Sequence, residues 1–95
     1  MKLITAVIRP YKLEDLRNAI AQMGVQGVTV TEVHEIEFGP RCKLEVAVDD
    51  AVAEAALEAI ANVARTGRAG DGYLTIGELD EAIRIRTGET GSSAT

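Results

Sequence analysis

Stretches typical of strands alternate along this chain with stretches whose apolar residues recur at helical spacing, and the order of these stretches limits the folds it can adopt. Residues 2–9 are rich in Ile and Val and predict a strand, which Pro10 ends. Apolar residues then recur at helical spacing as far as a helix stop at Gly24; they are Leu13, Leu16, Ala19, Ile20 and Met23. The chain therefore begins with a strand followed by a helix.

The middle of the chain predicts an antiparallel hairpin. Residues 28–38 are rich in Val, Thr and Ile and predict a second strand. Residues 42–48 alternate between larger apolar side chains and Lys43, Glu45 or Ala47, and they predict a third. Gly39-Pro40 is the turn signal between them, and strands joined by so short a connection pair with each other.

The second half repeats the helix and strand. Asp49 and Asp50 are candidate N-caps for a helix that extends to about Ala64. After it we expect a short strand over residues 73–76 and a turn or short helix over 78–82. Another short strand over 83–86 and a loose tail over 87–95 would follow.

This order of elements predicts an α+β, ferredoxin-like βαββαβ domain over residues 1–88, with a flexible C-terminal tail over 89–95. Two helices would cover one face of a four-stranded antiparallel sheet. Because Val and Ile occupy both phases of the second strand, the other face is also expected to need cover. Packing of sheets against each other in an oligomer would supply it.

Charge and composition narrow the class of function. A net charge of -5 argues against a nucleic-acid binder. No run of about 18 apolar residues could span a membrane, and the N-terminal stretch lacks the apolar segment of a signal peptide, so a cytoplasmic location is expected. Cys42 is the only cysteine and His34 the only histidine. Neither has the partners that a metal site or a nucleophile–base pair requires, so no metal and no enzymatic activity are expected.

Residues 66–72, TGRAGDG, place three glycines between the second helix and the fourth strand. Glycine lets the backbone approach a ligand closely, and successive N–H groups form a concavity that binds anions. The stretch is neither a Walker A nor a GxGxxG motif. On these residues alone, a helix cap followed by a turn is favoured over a phosphate-binding loop.

Two further stretches are open to two interpretations. Arg84 and Arg86 would point to the same side of an extended segment and suit a diphosphate, or they form a solvated edge strand. Thr29 and Thr31 are ordinary strand residues, although one hydroxyl facing a cleft could read a base edge.

Three stretches together resemble the PII signal-transduction family, whose members are trimeric regulators that respond to nitrogen and carbon status. They are IRPYKLEDLRNAIAQMGVQGVTVTEV, RTGRAGDG and AIRIRTGE, and the similarity covers nearly the whole chain. The resemblance implies a homotrimer that binds adenine nucleotides in clefts between neighbouring subunits. It implies a non-catalytic role, exerted on a regulated partner protein such as a transporter or metabolic enzyme.

Carried over by position, the resemblance also implies a nucleotide site. Its phosphate-binding loop would be Gly70, Asp71 and Gly72, and its two arginines, Arg84 and Arg86, would come from the adjacent subunit. The remaining positions near the ligand are Thr29 and Thr66 beside the adenine, with Arg65, Ala69 and Tyr73 in the loop region.

Two departures from the family pattern change the expected ligands. The long T-loop of the family is replaced by HEIEFGPR, which lacks its modifiable tyrosine and its Gly-Arg-Gln base, and Arg41 stands where a lysine helps to bind 2-oxoglutarate. Tyr73 stands where a lysine contacts phosphate. We therefore expect ADP or AMP to bind in preference to Mg-ATP, without the usual response to 2-oxoglutarate. Arg41 is the candidate for a second small anion such as bicarbonate, and a scaffold trimer that has lost ligand response is the alternative.

Overall fold

The computed structural model describes residues 1–25 and 27–90. Its elements in chain order are β1 (Lys2–Ile8), a 3₁₀ turn (Pro10–Lys12), α1 (Leu13–Ala21), β2 (Val28–Glu35), β3 (Gly39–Val48), α2 (Asp50–Ala64) and β4 (Gly72–Glu78). The predicted βαββαβ order and ferredoxin-like fold are confirmed. Asp49 occupies the N-cap position of α2, although its side chain makes no capping hydrogen bond.

The four strands form one sheet in the order β2-β3-β1-β4, and every neighbouring pair is antiparallel. In this register Ile8, the last residue of β1, lies opposite both Cys42 of β3 and Gly72 of β4. The end of β1 and the starts of β3 and β4 therefore meet at one end of the sheet. The loop before β4 and the turn before β3 are brought together there.

The core lies between the two helices and one face of the sheet. Alternate residues of β1 and β3 point into it, among them Ile4, Ile8 and Leu44. Leu16 and Ile20 of α1 and the small side chains of α2 pack against them. Each of the large buried side chains stabilises the fold by about 1.5–3 kcal/mol relative to an exposed one. Cys42 is buried in this cluster, as a small apolar residue would be.

The opposite side of the sheet, here called the open face, is not covered by either described helix and mixes apolar with polar side chains. The register places Val28 and Val30 on the helix side with Val46 and Leu44, so Val33 is the valine of β2 on the open face. Polar side chains share that face with it, among them Thr5, Thr29, Thr31, Lys43, Glu45 and Thr75. β2 therefore carries valines on both faces, as the sequence predicts, because its valines change phase at Thr31.

The hairpin turns earlier than predicted. Residues 36–38 form the turn, whereas Gly39 and Pro40 are the first residues of β3 and pair with Glu35 and His34. Gly39 has φ +75°, which lets the chain reverse directly after the turn. Pro40 is tolerated in a strand because β1 pairs with β3 only from Cys42 onward, so its missing N–H removes no bond to β1.

The C-terminal third also differs from expectation. β4 is longer than residues 73–76 because both of its ends pair with β1, at Gly72 and Glu78. No helix forms over 78–82, and 83–86 is not a strand: Ile83 makes one bridge to Thr90 around a turn at 85–87. The chain from residue 87 to residue 90 therefore folds back instead of forming a loose tail. Residues 91–95 of the predicted tail lie outside the described residues, and the division at residue 88 stays a prediction.

Candidate functional site

The residues from Arg65 to Gly72, here called the glycine loop, connect α2 to β4 at the end of the sheet where β1 finishes. Gly67, Gly70 and Gly72 all have positive φ, between +85° and +107°. A Cβ on Gly72 would lie 1.9 Å from the carbonyl oxygen of Val7, so only glycine fits there. The loop is therefore pressed directly against the backbone of β1.

Asp71 fills part of the loop with its own negative charge. Its carboxylate accepts hydrogen bonds from the backbone N–H of Thr66 at 2.8 Å and of Gly67 at 2.9 Å, and another from the Thr66 hydroxyl. The Thr66 hydroxyl, followed by the Thr66 N–H, holds the pKa of this carboxyl well below its ordinary value. Two N–H groups that the glycine pattern offers to a phosphate are thus already engaged, and a bound phosphate would use other donors of the loop.

Arg9 is a loop-holding residue that the sequence analysis missed. Its Nε lies 3.2 Å from a carboxylate oxygen of Asp71, and its Nη2 donates to the carbonyl of Ala69 at 2.8 Å. The available signal was its position at the end of β1, since the sheet order places that end beside the start of β4. Arg68 adds an outer contact by donating to the Tyr11 hydroxyl at 3.0 Å.

A cavity of about 260 Å³ lies beside the loop. Four predicted site residues line it, together with apolar side chains of β1, α2 and β4: Arg65, Asp71, Gly72 and Tyr73 with Ile8, Ala61, Ala64 and Leu74. Its volume is below the roughly 300–1,000 Å³ usual for a small-molecule site. One protomer therefore presents an apolar recess with a charged rim, smaller than a typical complete site.

The start of β3 contacts the glycine loop through Arg41. This residue is 4% exposed; its Nε donates to Glu35 at 2.9 Å, and its Nη2 donates to the carbonyl of Gly70. The Phe38 ring lies 5.1 Å from the same guanidinium, at cation–π distance. Arg41 is thus held by the hairpin on one side and by the loop on the other.

Three predicted site residues lie elsewhere in the protomer. Thr29 is on β2 opposite Glu45, on the open face, and it does not line the cavity beside the loop. Arg84 and Arg86 belong to the turn after β4, where Gly88 N–H bonds to the carbonyl of Arg84 at 2.7 Å. They do not line that cavity either. Within one chain, the structure brings together the loop residues but neither Thr29 nor the arginine pair.

Over residues 1–25 and 27–90, no cluster of three or more His, Cys, Asp or Glu side chains is arranged to hold a metal ion. In the same ranges, no helix has the length and apolar character needed to cross a membrane.

The chain is similar in sequence to a family of known proteins over nearly its whole length. The family model for nitrogen regulatory protein P-II matches residues 1–89. The chain is 42% identical to nitrogen regulatory protein P-II of Rhizobium meliloti (strain 1021) and 38% identical to nitrogen regulatory protein GlnK of Escherichia coli (strain K12). Each alignment covers 99% of this chain and 99% of the relative. Because the alignments extend over 111 positions, the relatives carry residues that this chain of 95 lacks.

Proposed function

This chain belongs to the nitrogen regulatory protein P-II family, whose members are regulatory and non-enzymatic, and we propose that it senses adenine nucleotides in clefts between the subunits of a homotrimer. Proteins of this family bind adenine nucleotides as effectors and act on partner proteins. In the proposal, nucleotide occupancy reports metabolic status in the cytoplasm to a regulated transporter or enzyme.

The observation that carries the proposal is the incomplete site beside the glycine loop. Asp71 and Arg9 hold the loop in a defined shape next to a cavity too small for a whole nucleotide site. A neighbouring subunit could supply the missing wall. In that arrangement Arg84 and Arg86 of the neighbour would pair with the phosphates as two guanidinium forks.

The proposed preference for ADP or AMP over Mg-ATP rests on Tyr73. This side chain lines the cavity at the position where the family pattern has a lysine, and a phenol supplies a hydrogen-bonding hydroxyl in place of an ammonium. Without that cation, the β- and γ-phosphates of ATP lose a counter-charge. The three-residue turn at 36–38 also leaves no room for a long T-loop, so the proposal excludes the usual 2-oxoglutarate response.

A second small anion such as bicarbonate would have to bind at an arginine that already has partners. Its candidate ligand, Arg41, already donates to Glu35 and to the Gly70 carbonyl. An anion would have to compete with the Glu35 carboxylate or use the remaining donors of the guanidinium. Equilibrium binding of labelled bicarbonate, with and without nucleotide, tests this part; no retained label under either condition would dismiss it.

The decisive experiment is isothermal titration with AMP, ADP and ATP, with and without magnesium and 2-oxoglutarate. We expect ADP or AMP to bind at up to one site per chain, and Arg84→Ala to abolish that binding because it removes one phosphate-pairing guanidinium. Arg17→Ala is the control, since Arg17 is exposed on α1 and pairs only with Glu14 among the described contacts. Synergistic binding of Mg-ATP and 2-oxoglutarate would contradict the proposed preference.

A scaffold trimer without ligand response is the second candidate. The engagement of the Thr66 and Gly67 N–H groups by Asp71 favours it, because the loop is partly satisfied without any ligand. The same titration discriminates the two: absence of heat with every nucleotide would leave the glycine loop as architecture only.

A further inference from the structure

The contacts between the hairpin and the glycine loop point to a role for Arg41 and Phe38 that the family comparison does not assign. We propose that these two residues, here called the clamp, are positioning residues that fix the Gly70 peptide for ligand binding and couple the hairpin turn to the state of the loop. The inference rests on the proposed nucleotide site, because the loop it positions is the loop of that site.

Arg41 is buried and paired on two sides. With its side chain 3% exposed, its charge needs partners, and it has them: one nitrogen donates to Glu35 within the hairpin and another donates to the Gly70 carbonyl in the loop. Donating in two directions at once requires the rigid fork of arginine. A lysine has a single ammonium on a flexible stem and does not reproduce this pair of contacts.

The geometry of the peptide bond extends the effect of Arg41 to the next residue. In a trans peptide, the carbonyl of one residue and the N–H of the next point in opposite directions. The bond from Arg41 to the Gly70 carbonyl therefore also fixes the N–H of Asp71, which points away from the hairpin. Asp71 and Gly72 line the cavity beside the loop, so the clamp orients backbone on the rim of the proposed site.

The absence of a side chain at Gly70 lets the hairpin approach the loop. A Cβ on Gly70 would lie 2.9 Å from a Phe38 ring carbon and 3.3 Å from Nη2 of Arg41, so the bare backbone of Gly70 is what lets both side chains approach. Because Arg41 also bonds to the Gly70 carbonyl, we expect a ligand that moves Gly70 to be felt in the hairpin turn, where Ile36 is fully exposed.

The test uses Arg41→Lys and Phe38→Leu in the whole chain, with Arg17→Lys as the matched control because it makes the same change in an exposed Arg–Glu pair on α1. The readouts are the ADP dissociation constant by calorimetry, amide hydrogen exchange of the glycine loop without ligand, and the thermal unfolding midpoint. We expect Arg41→Lys to weaken ADP binding about tenfold and Phe38→Leu several-fold. Loop exchange should accelerate in both, and the control should match the wild type.

The outcomes separate the clamp from the nucleotide proposal. ADP binding and loop exchange unchanged in both variants would overturn the clamp while the nucleotide site stands. If the wild-type protein binds no nucleotide, the proposed function fails and so does the ligand-positioning role. Faster amide exchange of the loop in the variants would then support only the coupling between the hairpin turn and the glycine loop. Unchanged exchange would overturn this coupling as well. Should Arg41→Lys fail to fold, Phe38→Leu decides by the same readouts.

Discussion

At the scale of single residues, the three glycines of the loop should respond differently to the same substitution. Gly67→Ala meets open space and is strained only by its φ of +85°, which costs about 1–2 kcal/mol. Gly70→Ala also displaces the Phe38 ring, a half-exposed side chain that can move. Gly72→Ala drives a methyl group into the Val7 carbonyl, so it should lose about 3 kcal/mol or more. Urea unfolding of the three variants measures this order, and equal losses would contradict it.

The Asp71 carboxyl should make the stability of the fold depend on pH. Because hydrogen bonds from Thr66 and Gly67 lower the pKa of its carboxyl in the folded protein, the folded state binds fewer protons than the unfolded state in acid. Stability from this group is therefore fully present above the unfolded pKa of about 3.9 and falls as the pH drops below it.

The measurement for Asp71 compares wild type with Asp71→Asn by urea unfolding at a series of pH values. The difference in unfolding free energy should be constant from pH 8 to about pH 5 and should shrink below about pH 4. Asp80→Asn, at an exposed position after β4, is the control. A difference independent of pH down to acid unfolding would show that the Asp71 contacts do not stabilise the charged form.

At the scale of elements, hydrophobic spacing was enough to predict the strands and helices that form the core. β1, α1, β3 and α2 follow their apolar patterns closely because each buries one continuous stripe. The hairpin turn was misplaced because Ile36 and Phe38 extend the pattern of β2 into a segment where neither side chain is buried. The local pattern does not show which apolar residues will be buried against another element. The pairing of strands in the sheet determines this.

The candidate site shows the same division between local and tertiary information. The glycine spacing predicted a tight reversal of the chain, as either a helix cap with a turn or a phosphate-binding loop, and Gly67, Gly70 and Gly72 all have positive φ. The partners of that loop come from residues far away in sequence: Arg9 from β1 and Arg41 from β3. Such contacts follow from strand order and register, which single-sequence patterns do not contain. The arginine pair at 84 and 86 remains a prediction, since its proposed role requires a second chain.

At the scale of the whole molecule, the open face is the surface that a trimer would use. Neither described helix covers it, yet Val7 there is only 4% exposed and Leu3, Thr5 and Val33 are half-buried. A mixed face of this kind suits contact with other copies of the chain better than a fully apolar face, because an unassembled protomer can stay soluble. Assembly through it would also place neighbouring subunits side by side, as a shared nucleotide cleft requires.

Thr5→Lys tests this assembly. Thr5 lies on β1 between Glu45 and Thr75, so a lysine there faces a carboxylate in the protomer and should leave the fold intact. In a trimer that packs through the open face, three lysines would be brought together and desolvated, and the desolvation cost of several kcal/mol per buried ion exceeds what the pairing with Glu45 returns. We expect sedimentation equilibrium to give trimers for wild type and for Ala55→Lys, an exposed position on α2, and monomers for Thr5→Lys. Trimers of unchanged stability in Thr5→Lys would place the interface elsewhere, and the proposed cleft would then need a different pair of surfaces.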